Sequence, residues 1–285
     1  MQSSNPVFRR ADGFNGRSDA QDTPAYPGAQ TYTDPSQWGT GVPGQVAPPT
    51  VDQGRMTIDS VVQKTGLTLG VVVLFAAATW IVTPEITTES AMGSLYLISM
   101  VGALGGFALA MVNSFKKVIS PALVLAYAAF EGIFVGAFSK VIESVFTQPG
   151  ESPGGLVIGA VIGTFAAVAG TLAAYKFFNI KVGTKFRKWV FGALLGFVAV
   201  SILDFVLSLF GADFGFNGFG AMGAVSSIIG LGLGVLMLIL DFDFVERGIE
   251  AGLPERESWR AAFGLTVTIV WIYIELLRLL AIFRN

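Results

Sequence analysis

Seven long apolar segments, with few or no charged residues, constrain this sequence more than any other feature. They cover residues 66–83, 93–113, 119–141, 155–175, 189–210, 223–243 and 261–282. About 20 apolar residues are enough for a helix to cross the hydrocarbon core of a bilayer, and a helix satisfies its own backbone hydrogen bonds there. The sequence therefore predicts an all-α integral membrane protein, a seven-transmembrane-helix bundle over residues 56–285.

The composition excludes most enzyme classes. Hydrophobic residues make up 53% of the chain and charged residues 13%, against roughly 25% charged in soluble domains. The chain has no Cys and no His, which removes thiolate nucleophiles, Cys-ligated zinc and imidazole acid–base chemistry. P-loop, GxSxG and HExxH patterns do not occur. We therefore expect no enzyme and no bound cofactor, and any cation to be a hard one such as calcium, held by oxygen.

Residues 1–55 differ from the rest of the chain. They are rich in Pro, Gly, Ser, Gln, Asp and Thr and show no hydrophobic periodicity. Such a segment cannot bury enough apolar surface to offset its ordering entropy, so we predict a disordered N-terminal tail. No basic stretch is interleaved with aromatic residues as on a nucleic-acid-binding surface. The expected partner of the chain is the lipid bilayer.

The charges between the segments predict the orientation. Basic residues occupy alternate connections, on the same side as the N-terminus: Arg55, Lys64, Lys116, Lys117, Lys176, Lys181, Lys185, Arg187, Lys188, Arg247, Arg256 and Arg260. The other connections carry acids, with Lys140 as the exception: Glu85, Glu89, Glu143, Glu151 and Asp213. By the positive-inside rule the N-terminus is cytoplasmic and the C-terminus external.

Ionisable side chains inside the apolar segments are the candidates for function, because charge at membrane depth is costly. Glu275 is the strongest. Arg278 lies three residues later on the same helical face, so a self-contained ion pair is one interpretation, and a carboxylate shared with another acid is the other. Both interpretations stay open on the sequence alone.

Four further acids are candidates, and all favour a cation or proton as partner. Asp241 and Asp243 follow the apolar part of the sixth segment, where headgroup-level caps are the alternative; two residues apart, they point in nearly opposite directions. Glu131 lies beside Gly132 and should face a neighbouring helix. Asp204 is either pore-facing or a polar link between helices.

Several stretches carry a resemblance to a known family. The end of the sixth segment reads LILDFDFVERG and the last segment IYIELLRLLAIF, while RMTIDSVVQKTGLTLG, SPALVLAYAAFEGIFVG and ERGIEAGLPERESWRAAFGL are similar to one bacterial subfamily. Together they resemble the transmembrane Bax inhibitor motif family, in its bacterial branch, over about residues 55–285. The resemblance implies a bundle with the last helix at its centre, wrapped by the other six, in a bacterial plasma membrane.

The resemblance also implies a function. In family members that leak calcium, two aspartates on the last two helices act as a pH-sensitive latch. By position Asp241 matches the first and Glu275 the second, which is Glu here and lies farther along because of the inserted GIEAGLPERESW. Lys116 or Lys117 is the approximate counterpart of a basic residue that supports the latch in some members. The implied activity is a pH-sensitive cation leak, with calcium as the expected ion.

Two rival functions remain. One is a non-transporting regulator that binds membrane proteases or other membrane-protein partners through its helices or tail. The other is a proton-coupled transporter. In the leak hypothesis Asp241 and Glu275 form the latch, and Glu131 or Asp204 lines the cation path.

Overall fold

The computed structural model describes residues 54–86, 88–147, 154–178 and 180–284. Within these ranges it contains seven helices long and apolar enough to cross a membrane. They are α1 (Ile58–Val82), α2 (Glu89–Phe115), α3 (Pro121–Phe146), α4 (Gly155–Phe177), α5 (Thr184–Ser208), α6 (Ala221–Glu250) and α7 (Ser258–Arg284), with a short 3₁₀ turn, Glu255–Glu257, before α7. The predicted all-α membrane fold is confirmed.

Local signals set the ends of these helices. Thr57 caps α1 through a reciprocal pair of 3.1 Å hydrogen bonds with Ser60, an arrangement that satisfies two free backbone donors. The helix ends at Val82, just before Pro84. Pro121 opens α3, where its missing N–H has no intrahelical partner to lose. α1 therefore begins eight residues before the first apolar segment, which starts at residue 66.

The helices alternate in direction, so that the basic connections meet at one end of the bundle. Three contacts between these connections show it. Lys64 donates to Glu255 at 2.7 Å, Arg247 donates to the carbonyl of Val182 at 2.6 Å, and Arg260 donates to the carbonyl of Lys117 at 2.9 Å. We call this the basic end, and the opposite one, which includes Glu85 and Asp213, the acidic end.

The residues just before α1 form backbone hydrogen bonds with the α6–α7 connection at the basic end. Met56 N–H donates to the carbonyl of Leu253 at 2.8 Å, and Glu255 N–H donates to the carbonyl of Gly54 at 3.1 Å. The side chain of Met56 is buried. The last residues of the predicted tail therefore pack on the bundle, while residues 1–53 lie outside the described part of the chain.

α7 is central, though less completely than the resemblance implies. It packs against α1, α3, α4 and α6. α2 packs mainly on α3, and α5 mainly on α6, so these two helices lie farther from α7 than the others do, although the ring of Phe197 on α5 contacts Trp271 of α7.

Glycines allow close helix contacts within the bundle, several of them in GxxxG pairs such as Gly102–Gly106 and Gly132–Gly136. A Cβ at Gly102 would stand 2.6 Å from the backbone of Phe134 in α3, and one at Gly132 would stand 2.7 Å from Phe75 in α1. Gly192 and Gly196 differ, because an added Cβ would meet nothing within 4 Å at either position. That pair faces away from the described helices.

Candidate functional site

Asp241 is a carboxylate inside the α6–α7 interface without a basic partner among the described residues. Its Oδ2 accepts a hydrogen bond of 2.6 Å from the hydroxyl of Thr268 on α7. Its Oδ1 would stand 3.3 Å from a Cβ on Gly264, so the missing side chain makes room for it. The helix does not end near Asp241, as the hydropathy pattern suggests, but continues to Glu250. Asp241 is therefore an interior group and not a cap.

Asp243 points away from the α6–α7 interface, and two arginines compensate its charge. It pairs with Arg187 of α5 and, at 2.9 Å, with Arg247 one turn later on α6. Its side chain is only 7% exposed. Asp243 therefore ties α6 to α5 and to the α4–α5 connection, and the two aspartates serve different interfaces, as their spacing predicts.

Glu275 forms the ion pair with Arg278 that the sequence allowed as one interpretation. The distance from Nη1 of Arg278 to Oε2 of Glu275 is 3.1 Å. The side chain of Arg278 is 10% exposed and that of Glu275 is 7% exposed. Nη2 of Arg278 also donates to the carbonyls of Phe216 and Gly218 at 3.2 and 3.3 Å. The pair thus joins α7 to the α5–α6 connection.

The structure does not bring Asp241 and Glu275 into hydrogen-bond contact. Asp241 lies at the level of its partner Thr268 on α7. Thr268 and Glu275 are seven residues apart on α7, which is roughly 10 Å along a helix. Between these levels α6 packs tightly on α7: a Cβ on Gly234 would stand 2.8 Å from Ile272, and Nε1 of Trp271 donates to the carbonyl of Gly230 at 2.9 Å. The acids therefore lie on either side of a closed seam.

A small cavity lies on the Glu275 side of this seam. It has a volume of about 290 Å³ and is lined by residues of α5 and α7 that include Ser201, Trp271, Glu275 and Arg278. Ser227, buried on α6, places its hydroxyl beside Glu275. Polar groups thus extend from the acidic end toward the seam.

Asp204 is neither pore-facing nor a helix-to-helix link. Its carboxylate oxygens accept hydrogen bonds from the backbone N–H groups of Phe214 at 3.0 Å and Asn217 at 2.8 Å. Asn217 in turn donates to the carbonyl of Ser201 at 2.7 Å. Asp204 is only 2% exposed, so it anchors the α5–α6 connection against the bundle. The backbone N–H donors are invisible in the sequence pattern, which explains why neither interpretation anticipated this role.

Glu131 and Lys117 lie apart from the seam. Glu131 faces α2, where its Oε2 would stand 2.8 Å from a Cβ on Gly106, so the predicted placement against a neighbouring helix is confirmed. The backbone carbonyl of Lys117 accepts a hydrogen bond from Arg260, whereas the side chain of Lys117 is exposed. It makes no ion pair with any acid of the described chain.

Two residues of the site were missed in the sequence. Arg187 looked like one more basic loop residue. Thr268 looked like an ordinary polar residue of a transmembrane helix, since such hydroxyls usually bond to the carbonyl four residues earlier, as Thr266 does to Ala262 at 2.7 Å. No local signal distinguishes Thr268 from Thr266.

Comparison with known proteins identifies the family. A family model described as Bax inhibitor 1 like matches residues 5–285. The match begins well before residue 55, so the tail is not outside the similarity as the quoted stretches suggested. No curated protein matches the chain.

Proposed function

The chain belongs to the Bax inhibitor 1 like family, and from that premise we propose that it is a pH-sensitive cation leak pathway, with calcium as the expected ion. The observation that carries the proposal is Asp241: a carboxylate at membrane depth whose one hydrogen-bond partner in the described chain is the hydroxyl of Thr268. A negative charge in that position is costly unless a proton or a cation accompanies it. Asp241 is thus suited to exchange one for the other.

The proposed path follows the α6–α7 interface. It starts in the cavity beside Glu275 at the acidic end, crosses the glycine seam at Gly230 and Gly234, and reaches Asp241. Packing at the seam closes the path in this structure. Conduction requires α6 to move away from α7 there, and the absence of side chains at the two glycines lets a small displacement open the gap.

The proposed sign of the pH response follows from the charge of Asp241. When the carboxyl group is protonated it is neutral, and the seam stays closed. When the proton is lost, the charge is relieved by a bound cation or by separation of the helices, since each lowers the cost of the isolated charge. Flux should therefore rise with pH. Glu275 does not act as a second latch acid in this state, because Arg278 already compensates its charge.

The test is calcium flux into proteoliposomes that contain the purified protein and a trapped calcium indicator, measured across a pH series. A single titrating group changes the flux by at most about tenfold per pH unit. Asp241→Asn keeps the shape and removes the titration, so the pH response should flatten. Asp213→Asn removes an exposed acid from the α5–α6 connection and should leave the profile unchanged.

Two results would contradict the proposal. An Asp241→Asn profile identical to the wild-type profile would remove Asp241 from the gate. No protein-dependent flux at any pH would favour the rival function, a non-transporting regulator of membrane proteases or other membrane partners.

A further inference from the structure

A long apolar groove lies between α1 and α4. Both helices pack on α7 but barely on each other, and the space between them has a volume of about 590 Å³. Leu265, Ile269 and Tyr273 of α7 form part of its floor. Along α1 the groove runs from Val61 to Trp80, which is roughly 28 Å at the helical rise and close to the roughly 30 Å thickness of the hydrocarbon core.

The groove is apolar along its length. None of its lining residues is charged, and most are aliphatic or aromatic, such as Val72, Phe165 and Ile269. A hydrocarbon chain matches such a lining, since it brings no polar group that would need a partner there.

One buried polar group in the lining has no partner among the described residues. The hydroxyl of Tyr273 and the hydroxyl of Ser139 bond to each other at 2.7 Å, and Thr164 bonds to the carbonyl of Ala160 at 2.7 Å. Thr65 lines the groove near the basic end, and its buried hydroxyl makes no hydrogen bond. An unsatisfied buried hydroxyl is costly, so the groove offers one donor to an acceptor on its occupant.

We infer that this groove is a binding site for one acyl chain of a membrane phospholipid, whose ester carbonyl accepts a hydrogen bond from Thr65. From Thr65 to Trp80 the groove is roughly 22 Å long. An extended palmitoyl chain is roughly 20 Å long, at about 1.25 Å per carbon along the zigzag of C–C bonds. The acyl chain therefore fills the groove from the free hydroxyl of Thr65 to the far end at Trp80.

Glycines of α1 supply a matched pair of variants. Gly66 lines the groove, and an added Cβ there would meet nothing within 4 Å, so Gly66→Leu places its side chain in the space meant for the lipid. Gly70 lies one turn later, outside the groove lining, and an added Cβ there also meets nothing within 4 Å. Gly70→Leu therefore controls for bulk and helix propensity.

The experiment is native mass spectrometry of the full-length protein in detergent, titrated with palmitoyl-oleoyl phosphatidylglycerol. The wild-type protein and Gly70→Leu should each retain one phospholipid at low activation energy, and Gly66→Leu should retain at least about tenfold less, a difference of 1.4 kcal/mol in binding. Thr65→Val keeps the shape and removes the donor, so it should weaken retention several-fold.

Equal retention by Gly66→Leu and Gly70→Leu would overturn the inference, and so would the absence of a retained lipid from the wild-type protein. A lipid-free dimer lost only in Gly66→Leu would identify the occupant as a second copy of the chain instead. If both leucine variants fail to fold, Thr65→Val decides alone: retention equal to wild type overturns the inference.

Discussion

Acids that look alike in the sequence are compensated in three different ways in the structure. Asp243 and Glu275 each contact arginine, Asp204 accepts backbone N–H groups, and Asp241 has one hydroxyl. Charge at membrane depth has to be compensated by some partner, and the partner decides the role. Arginine and backbone partners make structural anchors, whereas Asp241 has a single hydroxyl partner, which is what the proposed exchange of a proton for a cation requires.

The Glu275–Arg278 pair predicts a coupled loss of stability. Glu275→Gln leaves a buried guanidinium without its counter-charge, and Arg278→Gln leaves a buried carboxylate, so each variant should lower the free energy of unfolding by about 3 kcal/mol. The double variant removes both charges and should lose less than the sum of the two. Unfolding in detergent micelles followed by circular dichroism measures all three variants.

Additive losses in that double-mutant cycle would show that the two side chains do not act as a unit. Asp241→Asn provides a comparison in the same experiment. It has no arginine partner in the described structure, and a much smaller loss of stability is expected because the amide oxygen can still accept from Thr268.

At the scale of elements, α6 is longer than its apolar segment. The apolar run ends near residue 243, but the helix continues to Glu250. The polar extension stays helical because Asp243 and Arg247 pair one turn apart and because Arg247 bonds to the α4–α5 connection. Hydropathy detects where lipid contact ends, and not where helical hydrogen bonding ends.

The α5–α6 connection is an ordered element held by two buried charges, Asp204 and Arg278. Asp204→Ala removes both acceptors and should speed amide hydrogen exchange at Phe214 and Asn217 by roughly 10- to 100-fold, the equivalent of about 1–3 kcal/mol per lost bond. Hydrogen exchange with mass spectrometry of peptides covering 210–220 measures it.

Asp213→Ala is the matched control, since Asp213 lies in the same connection and is exposed. It should leave the exchange rates unchanged. Equal acceleration in both variants would show that the connection is ordered by its own sequence and not by the buried carboxylate.

For the whole molecule, the alternation of helix directions places the basic connections at one end, and the positive-inside rule predicts that this end is cytoplasmic. The chain has no Cys, so a cysteine introduced at one position is the only thiol that a labelling reagent can modify. Lys181→Cys should react with a membrane-impermeant maleimide only after permeabilisation of the cells, and Asp213→Cys should react in intact cells. Both positions are exposed in the structure. The reverse pattern would invert the topology.

Much of the architecture was determined by the sequence alone. The number of helices and the alternation of their directions depend on local composition and spacing, and the structure agrees with both. These features were predictable because a bilayer accepts few backbone conformations. Pro121 and Pro84 likewise act through local backbone chemistry.

The partners of the buried acids were decided by the tertiary structure. Asp241 meets Thr268 instead of Glu275, because α6 and α7 run antiparallel in a register set by the close packing of Gly230 and Gly234 on α7. Asp204 finds backbone donors thirteen residues away at most, in a connection whose path no periodicity reveals. Compensation of a charge is a three-dimensional property, since it depends on which groups lie within a few ångströms after packing. The sequence therefore identified the charged residues, and only the folded chain assigned each its partner.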